Sequence, residues 1–396
     1  MIRCIKCNLP ETHETITFND DGVCNICLSQ DKRDAIDWAA RKKDLDELIS
    51  LYKGKGTYDC LVPFSGGKDS TWTLYYLVKE YGLNPLVVQY DHGFMRQNLQ
   101  DNVKKVSKEL GVDVLSYRSN WKTVRKLMLQ SFIEKGDFCW HCHTGIYAYP
   151  MWIALEKKIP LIFWGEPSAE YTAYYSYDDE IEAVDETGFN RFRNLGITAE
   201  DMYIRLDGAV KKRDLQAFTY PPLNDLKALG YRSVCLGSYI KWNVKEQSRI
   251  IMDELGWTGD EVENVPPEYG FEKIECYMQG VRDYIKYIKR GYTRPSHLSS
   301  IDLRHDKIPR DKAMQNIKDY EGKRPPSLDI FLEYVGLNED EFYEIASSHK
   351  ISPWQFDRSK ITPGKKTHDF DNWERYSGMP REETELQLIK WKEITS

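Results

Sequence analysis

The central part of the chain alternates short apolar runs with amphipathic stretches. The runs from Cys60 to Phe64, PLVVQY, DVLSY and PLIFWG have the length and composition of buried strands. Helical periodicity marks the stretches between them, which are a segment from about Asp69, NLQDNVKKVSKEL, WKTVRKLMLQSFIEK and TGIYAYPMWIALEKK. Strands that alternate with helices predict an α/β fold, with an open parallel sheet and helices on both faces.

Other segments flank or interrupt this alternation. Residues 1–33 combine cysteine pairs with turn residues and predict a small N-terminal module, followed by the α/β domain at 34–245. Between about 166 and 230 the periodicity gives way to tyrosines, acids and glycines, so we expect an insertion at the strand ends. SVCLGSYI predicts one more buried strand. Residues 246–396 predict a helical C-terminal region with a tail, and its first helical pattern, ECYMQGVRDYIKYIKRG, begins at Glu275.

Composition narrows the function classes. The 396 residues carry a formal net charge of -7 without a long basic block, so we do not expect a nucleic-acid partner. No apolar run approaches the roughly 20 residues of a membrane span, and the N-terminus lacks an apolar export signal. We therefore expect no membrane association and a cytoplasmic location.

The sequence FSGGKDS, at 64–70, crowds polar groups at the end of the first strand. The following helix directs its unpaired N–H groups and positive dipole end toward this edge, which favours an anion. Ser65 and Ser70 add hydroxyl donors and Lys68 adds a charge, while Asp69 fits beside phosphates if Mg²⁺ lies between them. The alternative is a glycine turn capped by Asp69 that binds no ligand.

Two neighbouring strands end at the same edge. PLVVQY leads into Gln89, Tyr90, Asp91 and His92, and PLIFWG leads into Gly165 and Glu166. Open parallel sheets bind ligands at the carboxyl ends of their strands, so these residues are candidates for the same cleft. His92 is alternatively a strand-terminal cap, and Glu166 a solvated loop acid.

Two C-x-x-C pairs near the N-terminus predict a metal site. The pairs are Cys4 with Cys7 and Cys24 with Cys27. Their spacing is typical of a tetrahedral four-cysteine zinc site, which has no open coordination position. We expect this zinc to be structural rather than catalytic.

FSGGKDS resembles the PP-loop, Ser-Gly-Gly-x-Asp-Ser, of the N-type ATP pyrophosphatases, also called the adenine nucleotide α-hydrolase superfamily. The resemblance implies cleavage of ATP between the α and β phosphates, with adenylation of an acyl-type oxygen and release of pyrophosphate. It also implies a PP-loop ATPase, HUP-like fold. Three residues are implied to be catalytic: Lys68, Asp69 (which also binds magnesium) and Ser65. The implied nucleotide-binding set is Pro63, Phe64, Ser65, Gly66, Gly67, Lys68, Asp69, Ser70, Gln89, Tyr90, Asp91, Gly165 and Glu166.

A third C-x-x-C pair, Cys139 and Cys142, lies within DFCWHCHTGIY, directly before a predicted helix. PP-loop enzymes that thiolate tRNA can hold an iron–sulfur cluster with such a pair and a distant third cysteine. This resemblance implies Cys235 or Cys276 as the third ligand. The alternative is a pair of ordinary thiols packed under the loop.

A longer set of motifs resembles the bacterial N-acetyl sugar amidotransferases of O-antigen and nonulosonic-acid biosynthesis. The motifs are the N-terminal cysteine pairs, FSGGKDS, FCWHCHTGIY, FWGEPSAEY, SYIKWNVKEQ and VRDYIKYIKRGY, and the likeness extends to about Gly322. It implies that ATP adenylates the acetamido oxygen of a free or nucleotide-linked N-acetyl sugar, and that ammonia then displaces AMP to leave an acetamidino group.

The resemblance also bears on partners and substrate. Residue 2 is Ile2 rather than a nucleophilic cysteine, so no glutaminase is visible and a separate glutaminase subunit is the expected ammonia source. EPSAEYTAYY departs from the family pattern, which puts the identity of the sugar in doubt. Candidate substrate contacts are His92, His143, Glu170 and Tyr171, although a tyrosine-rich loop is often ordinary packing.

Two other functions fit the same motifs. A PP-loop tRNA sulfur-transferase would use Cys139 and Cys142, but the acidic charge balance and the zinc pattern oppose it. A non-catalytic nucleotide-binding scaffold would not need both Lys68 and Asp69 beside intact serines.

Overall fold

A computed structural model describes residues 1–30, 35–165, 186, 189, 193–368 and 376–395. Its centre is a parallel sheet of five strands, which confirms the α/β class predicted from the sequence. The strands are β1 (Cys60–Pro63), β2 (Pro85–Asp91), β3 (Asp113–Arg118), β4 (Leu161–Trp164) and β5 (Arg232–Cys235).

The strand order is β3-β2-β1-β4-β5. The chain therefore builds the sheet outward from β1 in one direction, and then returns to add β4 and β5 on its other side. The order reverses between β1 and β4, which is the point where open α/β sheets form a ligand crevice at the carboxyl ends of the strands.

Helices precede, connect and follow the strands. Around the sheet they are α1 (Asn25–Leu28), α2 (Trp38–Ser50), α3 (Lys68–Lys79), α4 (Gln97–Leu110), α5 (Trp121–Lys135), α6 (Trp140–Lys157), α7 (Ala199–Arg205), α8 (Leu223–Leu229) and α9 (Val244–Leu255). The C-terminal region contains α10 (Gln279–Arg290), α11 (Arg294–Arg304), α12 (Arg310–Tyr320), α13 (Ser327–Val335), α14 (Glu339–Ser348) and α15 (Arg381–Thr395).

Helices cover both faces of the sheet. Successive side chains of a strand point to opposite faces, so Leu61 and Ile162 enter one core cluster while Val62 and Phe163 enter another. The first cluster is shared with α6, and the second with α3, α4 and α9. This two-sided burial explains why the strands read as continuous apolar runs rather than as alternating ones.

Several predicted boundaries near the cleft were wrong. α6 begins at Trp140 rather than after His143, because the Asp137 side chain accepts the Cys139 N–H at 2.8 Å and turns the chain into the helix earlier. SVCLGSYI forms a strand only to Cys235 and then a 3-10 turn at Leu236–Ser238. The helix predicted from Glu275 begins at Gln279, which leaves residues 271–278 as an extended turn.

The predicted insertion contains short helices in its described part. α7 and α8 lie there, with a 3-10 helix at Lys212–Phe218. α7 begins with a capping box between Thr198 and Asp201. A helix of seven residues is too short to give a clear periodic signal, so the sequence pattern missed it.

The N-terminal module packs against the C-terminal helices. Tyr292, two residues after the end of α10, is buried in the same cluster as the four N-terminal cysteines. Glu14 lies 3.3 Å from Lys286 and 3.5 Å from Arg290, both on α10. Across the ranges given above, no helix is both long and apolar enough to cross a lipid bilayer.

Candidate functional site

The loop between β1 and α3 presents backbone to the carboxyl edge of the sheet. Gly66 has a φ of +82°, in the left-handed region that side-chain-bearing residues rarely adopt. Gly67 is the N-cap of α3 and offers no capping side chain. The backbone of the loop is therefore uncovered by capping side chains at the start of α3, where the sequence analysis predicts an anion.

The two serines of the loop hold its shape. Ser65 Oγ and Ser70 Oγ are 3.1 Å apart, and Ser65 Oγ also accepts the Gly67 N–H at 3.2 Å. Ser70 Oγ in turn donates to the Gly67 carbonyl at 3.2 Å. These bonds fix the conformation of the turn.

Two tryptophans from distant segments also contact the loop. The buried Trp257 Nε1–H donates to the Gly66 carbonyl at 2.9 Å, and Trp242 Nε1–H donates to Asp69 Oδ1 at 3.3 Å. The sequence analysis missed both residues. Each lies more than 170 positions along the chain from its partner, so no local spacing reveals the contact.

Lys68 and Asp69 form a buried charged group with Glu272. Lys68 Nζ lies 2.8 Å from Asp69 Oδ2 and 3.1 Å from Glu272 Oε1. Burial would lower the pKa of Lys68, but the Asp69 and Glu272 carboxylates hold it above its usual value. Burial raises the pKa of Asp69, whereas for Glu272 the attraction of Lys68 outweighs burial and lowers the pKa. Lys68 is thus held as a cation at the start of α3.

Residues 271–278, here called the Glu272 segment, bring a second carboxylate to the loop. A Cβ added at Gly67 would lie 2.1 Å from Glu275 Oε1, so the Glu275 carboxylate rests directly against the loop backbone. The sequence analysis placed Glu275 at the start of a helix and assigned neither acid to the site. Periodicity could not have found them, since their role depends on where the turn crosses the sheet edge.

Gly165 joins the site through close backbone approach. A Cβ at this position would lie 2.6 Å from Ser70 Cα and 2.7 Å from Ser70 N. The end of β4 and the first turn of α3 therefore pack backbone to backbone, and only glycine fits between them. Glu166, Glu170 and Tyr171 were also predicted for this cleft, and they lie outside the described residues.

Pro63 and Phe64 are buried where β1 ends, and the residues predicted at the end of β2 are engaged with β3. Gln89 Oε1 accepts from Ser116 Oγ at 2.8 Å, and Asp91 Oδ2 accepts from Arg118 Nε at 2.6 Å. The Tyr90 ring packs against Gly145 on α6. These three side chains are thus held at the end of β2 by contacts with β3 and α6.

A second polar group lies around Cys276, in the Glu272 segment. Cys276 Sγ accepts the Met278 N–H at 3.3 Å, at the start of α10. Burial would lower the pKa of His92, but the Cys276 thiol and Asp91 hold it above its usual value. His92 Nδ1 accepts the Phe94 N–H at 3.3 Å, which leaves its other nitrogen for Cys276.

Cys139 and Cys142 complete this group. Burial raises the pKa of Cys142, and the neighbouring Cys276 raises it further. Burial also raises the pKa of Cys139, to which Asp137 and Cys276 add. Of the two cysteines predicted to join this pair, Cys276 packs against the same core cluster as Cys139, the cluster that contains Phe138 and Met278. Cys235 is buried in a different core cluster, at the end of β5.

His143 lies on the same helix as this pair. Its backbone N–H donates to the Cys139 carbonyl at 2.9 Å. Burial, with the positive charge of Arg282, lowers the pKa of His143 to about 3. The side chain is thus neutral near pH 7 and can act as a hydrogen-bond donor or acceptor.

The four N-terminal cysteines converge as predicted. All four Sγ atoms lie within 4.8 Å of one another, with Cys4 to Cys27 at 3.9 Å and Cys7 to Cys24 at 3.6 Å. A tetrahedral zinc with bonds of about 2.3 Å requires sulfur atoms about 3.8 Å apart. The residues therefore fit zinc. Among the described residues, no other set of three or more ligand atoms is this compact.

Known proteins resemble this chain in parts. Residues 267–377 match the family model of the C-terminal domain of LPS biosynthesis protein WbpG-like proteins. The predicted resemblance to proteins of O-antigen biosynthesis is thereby confirmed for this part of the chain, which carries a domain of LPS biosynthesis proteins. The Glu272 segment, α10 and Cys276 all lie inside the matched residues.

A curated relative is the uncharacterized protein MJ1599 of Methanocaldococcus jannaschii. It is 32% identical over 138 residues, which are 34% of this chain and 48% of the relative. The chain thus spans about half the length of that relative.

Two solved structures share distant similarity with the chain. The U34-tRNA thiolase NcsA from Methanococcus maripaludis, with its [4Fe-4S] cluster, is 11% identical, with 81% of this chain and 87% of that chain covered and a TM-score of 0.35. A predicted subunit of tRNA methyltransferase from Methanocaldococcus jannaschii is 16% identical, with 50% and 88% covered and a TM-score of 0.23.

Proposed function

We propose that this chain, whose residues 267–377 carry a WbpG-like domain of LPS biosynthesis proteins, is an ATP-dependent amidotransferase that acts on an N-acetyl sugar. In the proposed reaction the acetamido oxygen attacks the α phosphate of ATP, and pyrophosphate leaves. Ammonia then attacks the activated carbon and AMP leaves, so that an acetamidino group remains. The observation that carries the proposal is the fixed loop at 64–70, which holds Lys68 and Asp69 at the switch point of the sheet.

The residues of the loop would stabilise the charges that develop in this reaction. The N–H groups at the start of α3 and the Lys68 ammonium would stabilise negative charge on the departing pyrophosphate. Activation is needed because an amide carbonyl is a poor electrophile, and an adenylated oxygen is a good leaving group. The contact between Gly165 and Ser70 would fix the position of the loop relative to β4. The sugar would enter at this end of β4.

Magnesium fits the same loop. Mg²⁺ is commonly bound by one or two carboxylates together with substrate phosphates. Asp69 is mostly buried at the start of α3, with Oδ1 bonded to Trp242 and Oδ2 to Lys68. We propose that Asp69 is one protein ligand of the Mg²⁺ that enters with ATP, which would neutralise charge between the carboxylate and the phosphates.

The substrate and the ammonia source are further parts of the proposal. His92 is buried directly after β2, and His143 lies in the first turn of α6; both are candidate contacts for the sugar. Ammonia would come from a separate glutaminase subunit. We expect no nucleic-acid partner, no membrane association and a cytoplasmic location, in line with the acidic charge balance.

Two metal centres accompany the proposal. The four N-terminal cysteines would hold a structural Zn²⁺ that ties the module to α10. A second metal or an iron–sulfur cluster has three candidate ligands, which are Cys139, Cys142 and Cys276. The alternative is that these three residues are ordinary thiols that bind no metal. Iron and sulfide analysis of anaerobically purified protein, with Cys142→Ala beside the wild type, separates these two outcomes.

The experiment that tests the reaction measures AMP and pyrophosphate. The protein is incubated with ATP, Mg²⁺ and ammonium chloride against a panel of free and nucleotide-linked N-acetyl sugars, with mass spectrometry of the sugar. We expect AMP only with the right sugar, and a product in which NH replaces oxygen. Asp69→Asn and Ser65→Ala should abolish pyrophosphate release, whereas Asp253→Asn, an exposed acid on α9, should not.

Turnover by Asp69→Asn at the wild-type rate would remove the loop from the mechanism. A tRNA sulfur-transferase is the second candidate, and the packing of Cys139 and Cys276 against one core cluster is the observation that favours it. AMP that appears only with tRNA and a sulfur donor would establish that function instead. If the protein binds the nucleotide but forms no AMP under any condition, it would be a non-catalytic scaffold.

A further inference from the structure

One edge of the parallel sheet is exposed. β3 is the outermost strand beside β2, and within the described residues it pairs with no other strand. All of its residues are exposed or half-buried, and Val114 is 37% exposed. By contrast, β5, at the opposite edge, is buried at every position after Arg232. An edge strand leaves N–H and C=O groups unpaired along its outer side, so β3 offers such a row to another strand.

β3 lacks the sequence features that usually protect an edge. Edge strands are commonly blunted by lysine, by proline or by a β-bulge. The sequence of β3, DVLSYR, contains neither lysine nor proline. Its register with β2 continues without a break from Asp113 to Arg118, so no bulge interrupts the strand. An edge of this length and regularity is suited to the addition of a further strand.

Side-chain contacts hold β3 in its extended conformation. On one face of the sheet Ser116 Oγ donates to Gln89 Oε1 of β2 at 2.8 Å. On the other face the ring of Tyr117 stacks on that of Tyr149 of α6, with 4.3 Å between the ring centroids. A strand that is already ordered loses less conformational entropy on pairing than a flexible segment does.

We propose that β3 pairs in antiparallel orientation with β3 of a second copy of this chain, so that the two sheets join into one. The charges of the strand favour this partner, because Asp113 begins β3 and Arg118 ends it. Antiparallel pairing brings the acidic end of each strand beside the basic end of the other, whereas parallel pairing would place equal charges together. A two-fold axis perpendicular to the sheet generates this arrangement, and two-fold dimers are the commonest homo-oligomers.

Symmetry also limits the register of the pair. An axis perpendicular to the sheet leaves each face on its own side, so it must pass between one residue and the same residue of the second copy. The central residues of β3 are Leu115 and Ser116. With the axis at Ser116, Leu115 lies opposite Tyr117 of the second copy, and with the axis at Leu115 it lies opposite Leu115 of the second copy. Both are apolar cross-strand pairs, and neither register places equal charges opposite each other.

Sedimentation velocity of the full-length protein over a range of concentrations tests the inference, and we expect a monomer–dimer equilibrium. Val114→Lys adds a lysine that lies directly or diagonally opposite Arg118 of the second copy. We expect its dissociation constant to rise roughly tenfold, because the symmetry of the dimer repeats the repulsion. Met252→Lys is the matched control, since Met252 on α9 is also 37% exposed, and it should keep the wild-type constant.

Hydrogen–deuterium exchange locates the interface in the wild type without any substitution. The amides of Asp113–Arg118 should exchange more slowly above the dissociation constant than below it. A monomer at every concentration would overturn the inference, and so would a dimer whose β3 amides gain no protection. Equal dissociation constants in Val114→Lys and Met252→Lys would also overturn it. If Val114→Lys does not fold, exchange in the wild type still decides. No nucleotide or sugar enters these measurements, so their outcome is independent of the proposed reaction.

Discussion

The contact between β4 and α3 yields the sharpest structural prediction. Gly165→Ala places a methyl group 2.6 Å from Ser70 Cα and 2.7 Å from Ser70 N, and both are backbone atoms. Ordinary contact begins at 3.4 Å, so the two elements must separate by roughly 0.8 Å. Overpacking of this kind costs about 1–3 kcal/mol of folding free energy, and a displacement of about 1 Å at a reacting site can cost about 100-fold in rate.

We expect Gly165→Ala to fold with reduced stability and to bind Mg²⁺ and the α,β-methylene analogue of ATP at least about tenfold more weakly, a loss of about 1.4 kcal/mol. Thermal unfolding gives the stability, and isothermal titration calorimetry gives the affinity. Gly378→Ala is the matched control, since its methyl group would lie 2.5 Å from the Glu333 carbonyl, far along the chain from the loop.

The control separates a local effect from a general one. Gly378→Ala should lose a similar amount of stability and keep the wild-type affinity for the nucleotide. Wild-type affinity in Gly165→Ala would refute the reasoning, because the β4 contact would then not position the loop. An equal loss of affinity in both variants would also refute it, since destabilisation alone would explain the result.

The remaining predictions concern the zinc module and a buried histidine. Cys24→Ser should lose zinc and thermal stability together, whereas Cys60→Ala, a buried cysteine of β1, should keep its zinc; full zinc content in Cys24→Ser, measured by plasma mass spectrometry, would reject the four-cysteine site. Burial lowers the pKa of His297 well below its usual value, and Lys286 and Arg294 add to this, so below about pH 6.5 the unfolded chain binds a proton that the folded chain does not. The free energy of unfolding should therefore decrease as the pH is lowered through that range. Urea unfolding at about pH 7.5 and about pH 5 measures this decrease, which should be smaller in His297→Gln. An equal loss of stability in the wild type and in His297→Gln would contradict the assignment of this pH dependence to His297.

The sequence predicted the sheet and the loop because both are local signals. β1, β2 and β4 are buried on both faces, so each appears as a short apolar run whichever way it points. The residues of FSGGKDS are consecutive, and the structure places all of them at one turn. The two N-terminal cysteine pairs converge for the same reason, since each pair lies on one knuckle.

The rest of the site depends on contacts between distant segments. Trp257 reaches Gly66 across 191 residues, and Glu272 reaches Lys68 across a similar distance. Neither has a periodicity or spacing that connects it with the loop. The choice between Cys235 and Cys276 was left open for the same reason, because only the path of the chain after β5 places Cys276 against the same core cluster as Cys139 and leaves Cys235 in another.

Boundaries failed where side chains override periodicity. Asp137 starts α6 three residues before the histidine that was expected to precede the helix. The Glu272 segment has a helical pattern of apolar residues, yet its acids face the loop and its backbone forms a turn. In both places a contact of one side chain with a neighbouring segment decides the local structure against the periodic pattern.

Transfer of oxygen tests the central claim most directly. An N-acetyl sugar identified in the AMP assay would be prepared with oxygen-18 in its acetamido group and incubated with ATP, Mg²⁺ and ammonia. Mass spectrometry would then measure the mass of the released AMP. If the loop directs adenylation of the amide oxygen, that oxygen leaves with the phosphate and the AMP carries the heavy isotope. Unlabelled AMP, with the label retained in the sugar, would contradict the account, because ATP cleavage would then not pass through the acetamido group.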